Sequence, residues 1–74
     1  MGFVHERKCW CVEVREGSDG LIACVDKYPE AVVPEGEVVR YDGERFHCFV
    51  FADFRMYAGA RAKELVRKRI GELR

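Results

Sequence analysis

From Lys8 to Arg15 the chain alternates. Trp10, Val12 and Val14 fall on one side and Cys9, Cys11, Glu13 and Arg15 on the other, the period-2 pattern of a half-buried strand. The glycines and small polar residues of Glu16–Gly20 suit a hairpin loop. Alternation resumes over residues 21–25, with Leu21, Ala23 and Val25 on one side. Two loops preserve the apolar face here. A loop over Glu16–Asp19 sets Cys11 opposite Cys24, whereas a loop over Gly17–Gly20 sets Glu13 opposite Cys24. Residues 27–36, interrupted by Pro29 and Pro34, read as a connection or a short edge segment.

A second hairpin is expected where Asp42-Gly43 separates Val38–Tyr41 from Arg45–Phe51, because a type I′ turn needs positive φ at both central residues and this dipeptide tolerates it. Its second strand is apolar on both faces, which places it centrally or under cover on both sides. At Asp53 the period changes. Asp53 is the expected N-cap of a helix on which Phe54, Ala58, Ala62, Leu65, Val66 and Leu73 share one side, with Ile70 at the margin. Gly59 and its alanine neighbours allow close backbone approach. The pattern predicts an α+β domain over residues 1–74: an antiparallel sheet of two β-hairpins, about four strands, with one C-terminal amphipathic helix packed on one face.

Composition narrows the chemistry. The 74 residues include no Asn, Gln or Thr and one serine, Ser18, so amide side chains for an oxyanion hole or adenine readout are missing. The replacement of thermolabile amides by charged residues is thermophile-like. No apolar run approaches the roughly 18 residues of a membrane helix, and charges interrupt residues 1–10 where a signal peptide would be apolar. The expectation is a soluble, cytoplasmic protein without a membrane partner.

Net charge is zero but uneven. Residues 1–53 carry six basic and eleven acidic residues, while residues 54–74 carry seven basic and two acidic. A basic helix facing its own acidic sheet, or that of a sister subunit, accounts for this. So does nucleic-acid binding, with Lys63, Arg67, Lys68 and Arg74 on phosphates, although base readout would then rest on arginine alone.

Cys9, Cys11, Cys24 and Cys48 raise a metal or thiol redox reading, with Cys9, Cys11 and Cys24 as ligands. Their spacing lacks the C-x₂₋₄-C knuckle of structural zinc sites, and buried thiols commonly act as small hydrophobes. His47 and Cys48 are sequence neighbours but point to opposite faces of a strand, so they form no nucleophile–base pair. His5 sits near the chain start. Glu35 and Glu37 read as a solvated loop, and no nucleotide, zinc-protease or calcium motif occurs. The expected function is therefore non-enzymatic and cofactor-free. The chain reads as a small interaction or regulatory module, self-associating as a homodimer through an apolar sheet face that carries Phe49, Phe51 and His47.

Overall fold

The structure is a computed structural model that describes residues 8–27 and 35–73. Strand β1 (Lys8–Gly17) pairs antiparallel with β2 (Gly20–Lys27). Strand β3 (Val38–Tyr41) pairs antiparallel with β4 (Phe46–Ala52), and helix α1 (Arg55–Leu73) follows. The sheet order is β2-β1-β4-β3. The two hairpins thus join along β1 and β4, and β4, apolar on both faces, takes a central position as its pattern demands. Of the connection read over 27–36, residues 28–34 lie outside the described part.

The first hairpin takes the register of the Gly17–Gly20 loop but closes more tightly, with only Ser18 and Asp19 between the strands. Gly17 pairs with Gly20, Glu13 with Cys24, and Cys11 with Asp26. Cys11 and Cys24 are therefore diagonal rather than opposite, roughly 7–8 Å apart in such a pair, beyond the upper limit of about 6.8 Å for a disulfide. The four cysteines are thiols. Gly20 adopts φ +132°, a region that L side chains rarely enter.

In the second hairpin the type I′ expectation fails. Tyr41 pairs with Phe46, leaving Asp42–Arg45 as a four-residue loop, and only Gly43 of the four has positive φ, +102°. The Asp42 side chain organises the loop instead. Its Oδ1 accepts hydrogen bonds from the backbone N–H groups of Glu44 and Arg45, both at 2.9 Å, an Asx turn that competes with the backbone-only one.

The helix starts later than read. The Ala58 N–H donates to the Phe54 carbonyl at 3.1 Å, so Phe54, not the expected Asp53, occupies the N-cap position. Phe54 accordingly leaves the apolar stripe and is 62% exposed. Of the stripe's other residues, Ala58, Ala62 and Val66 are buried with Trp10, Val12, Val14, Phe46, Cys48 and Val50, and Leu65 packs partly buried against them. The last helical turn carries no basic residue, so Arg67, Lys68 and Arg69 stand too far back to complement the helix terminus. No helix among the described residues is long and apolar enough to cross a membrane.

Candidate functional site

The helix covers the face that carries Trp10, Val12 and Val14, which leaves His47, Phe49 and Phe51 of β4 on the opposite face with Cys9, Cys11 and Glu13 of β1. Phe49 and Phe51 are half-buried. The arrangement confirms that His47 and Cys48 diverge, since Cys48 is in the core.

His47 is engaged on both sides. Its Nε2–H donates to Asp42 Oδ2 at 2.6 Å, and Nδ1 lies 3.8 Å from Glu13 Oε1. Glu13 also accepts from Arg45 Nη1 at 3.1 Å. The backbone N–H of Arg45 and the His47 side chain hold the Asp42 carboxyl well below the usual carboxylate range. A carboxylate depressed in the folded state stabilises above its unfolded value, near 3.9, and that contribution fades as pH falls below it. The carboxyl carbon resonance of Asp42 is therefore expected to show its own protonation step only in acid well below 3.9. Asp42→Asn should remove that acid transition. A midpoint near 3.9 or above would contradict the assignment.

Cys11, Cys24 and Cys48 line one cavity of about 560 Å³ together with His47 and Phe49, but they do not form a ligand cluster. Cys24 stands opposite Glu13, and Cys11 between Asp26 and Phe49; among the described residues no three His, Cys, Asp or Glu side chains are placed to hold a metal. Burial pushes the Cys48 thiol up to about 11 and also raises Cys9, the direction that makes thiols inert. Exposed Cys24 is thus expected to react first with Ellman's reagent on the native protein, and Cys48 only after denaturation. Prompt labelling of Cys48 without denaturant would show the core to be open.

Where β4 turns into α1, a cleft of about 620 Å³ is lined by Phe51, Asp53, Tyr57, Arg61, Glu35 and Glu37 among others. Arg61 is clamped to Glu37, its Nε and Nη2 donating to the carboxylate at 3.0 and 2.7 Å. Phe54 packs edge-on against Tyr57, centroids 5.7 Å apart, yet both stay exposed, at 62% and 56%. Sequence reading missed this pair because the helical wheel put Phe54 inside. The signal available was the spacing: aromatic residues three apart at a helix start are neighbours on its surface.

The basic segment divides. Arg55 Nη1 donates to the Val25 carbonyl at 2.9 Å and its guanidinium lies 5.8 Å from the Trp10 ring centroid. Arg69 Nη2 donates to the Val39 carbonyl at 3.3 Å. Of the residues read as phosphate ligands, Lys63 and Arg67 share a groove against β2, Lys68 lies 140° around the helix from Lys63 at about 100° per residue, and Arg74 is outside the described residues. The charge asymmetry is thus met in part within the chain.

No protein family's sequence profile, no curated protein and no solved structure matches the chain. Function must be argued from the surfaces themselves.

Proposed function

We propose that the chain is a non-enzymatic interaction module that self-associates through an aromatic patch at the β4–α1 junction, where Phe51 of the helix-free sheet face and Tyr57 line one cleft beside the exposed Phe54. The observation that carries this reading is the exposure of those two aromatic side chains, 62% and 56%, beside a cleft walled by Phe51 and Tyr57. Contiguous exposed apolar surface of this kind marks association sites, and aromatic side chains contribute most to association energies. A second copy suits the patch: zero net charge leaves no long-range repulsion between copies. The carboxylates Glu35 and Asp53 at the cleft match the positive excess of residues 54–74 on a partner copy. Phe49 and His47 extend the same face, with His47 held in place by Asp42 and Glu13.

Both sheet edges argue for a face rather than an edge contact. A helix arginine already occupies a carbonyl of each edge strand, at Val25 in β2 and Val39 in β3, and charge placed along an edge discourages strand addition between copies. Sedimentation velocity is expected to show a dimer at tens of micromolar. Tyr57→Lys combined with Phe54→Ser should weaken it by at least about tenfold, one hot-spot contact of about 1.4 kcal/mol. A clean monomer for the unmodified chain at that concentration would end this reading.

A further inference from the structure

A second surface, distinct from the aromatic patch, runs along the outer edge of β2. This strand is terminal in the sheet, so only one of its sides is paired, with β1. Between it and α1 lies a groove of about 450 Å³. The groove's floor is apolar and shallow, built from Ala23, Val25, Met56, Gly59 and Ala60, and Arg55, Lys63 and Arg67 stand along it with no acidic residue in the lining. Neither Lys63 nor Arg67 makes an ion pair with a described residue. Met56 is 73% exposed.

We propose that this edge receives an extended acidic segment of another protein by strand addition. Main-chain groups of an incoming strand pair with an edge, and alternate side chains enter the flanking surface. Here the alternate side chains on the helix side meet the Met56–Gly59–Ala60 floor and the cations Lys63 and Arg67, which fit one apolar and two carboxylate-bearing positions. Arg55 makes the edge selective. Its guanidinium fills the Val25 carbonyl, the acceptor an added strand would use, so an incoming N–H must displace it. A carboxylate on the incoming strand takes up the displaced guanidinium in a charge-assisted hydrogen bond, whereas a neutral or basic strand leaves it stranded. A second copy is a poor occupant, because a two-fold pairing of β2 with β2 would set Lys63 and Arg67 of one helix beside those of the other, like charges that oppose the contact.

The test uses the full chain and the fluorescein-labelled hexapeptide Val-Ser-Glu-Ser-Glu-Ser, whose valine and two glutamates share one face of an extended strand, followed by anisotropy, with the version carrying lysine in place of glutamate as its counterpart. The expected result is binding of the acidic peptide only, with slowed exchange of β2 amides, and at least a tenfold loss in Lys63→Glu with Arg67→Glu. Because charge reversal can perturb the helix, Lys63→Gln with Arg67→Gln is measured alongside and should show the same direction at an unchanged melting temperature. Equal binding of both peptides, no binding, or an oligothymidylate that binds more tightly and competes for the same two cations would each overturn the proposal, the last by making the groove a phosphate surface. Tyr57→Lys with Phe54→Ser, which lie outside the groove, should leave peptide binding intact, so failure of self-association and failure of this docking read out separately.

Discussion

Trp10→Ala is expected to leave the chain largely unfolded at 37 °C. Trp10 is 5% exposed at the end of the core, its Nε1–H donates to the Ala52 carbonyl at 2.9 Å, and the Arg55 guanidinium lies 5.8 Å from its ring centroid. One side chain thus ties the start of β1 to the end of β4 and to the first turn of α1. Truncating a buried tryptophan costs about 3–5 kcal/mol, and a chain of this length has roughly 4–11 kcal/mol in total. For a domain of this size each kcal/mol moves the melting temperature by about 4–8 °C, so a fall of roughly 15–30 °C is expected. Trp10→Phe keeps an aromatic body and loses the indole N–H, leaving the Ala52 carbonyl without that donor, at about 1–2 kcal/mol. Thermal melts followed by far-UV circular dichroism separate the two. A Trp10→Ala melting temperature within about 5 °C of the parent would show that the residue is not the anchor described.

How far the fold could be read in advance depended on whether the deciding interaction was local. Alternation over Lys8–Arg15 identified β1 and its buried face, since period 2 is a property of the strand alone. The two-faced apolarity of residues 46–51 identified β4 as central. Parity, however, is blind to a shift of two residues. Both candidate loops of the first hairpin keep Leu21, Ala23 and Val25 on the core side, and only the observed Gly17–Gly20 pairing tells them apart. In the second hairpin the dipeptide Asp42-Gly43 pointed to backbone turn chemistry, but the Asp42 carboxylate bonds Glu44, Arg45 and His47 together, and a side chain that closes its own loop does not show in a dipeptide rule. Phe54 was misplaced for a related reason: a helical wheel is drawn from an assumed start, and the true start lies beyond it. The surfaces were the least legible part. Seven basic residues in one segment look like a patch, yet Arg55 and Arg69 serve carbonyls of strands thirty positions away and Arg61 serves Glu37. Such pairings exist only once the helix has docked, and among the described residues they leave Lys63, Arg67 and Lys68 of this segment without an ion pair.

Ala62→Leu is expected to push the helix off the sheet, whereas Gly59→Ala, three residues earlier, should strengthen the seat. Ala62 is fully buried among core side chains, and cores are packed densely enough that added methylenes force shifts in side chains and backbone. The cost is typically about 1–3 kcal/mol, a loss of roughly 5–20 °C at this chain length. At Gly59 an added methyl would meet Val25 Cγ2 at 3.4 Å and Ala23 Cβ at 3.9 Å, ordinary contact distances, so it fills space rather than colliding. It also removes the glycine penalty of about 1 kcal/mol in a helix interior. The expected result is a rise of roughly 2–8 °C, lost again in Gly59→Val, whose branches must reach beyond the methyl position into Val25. Opposite signs at these two positions would follow from a helix seated by small side chains against β1 and β4 at Ala62 and by near-contact with β2 at Gly59. A tolerated Ala62→Leu would mean instead that the helix rides further from the sheet than the buried Ala58, Ala62 and Val66 require.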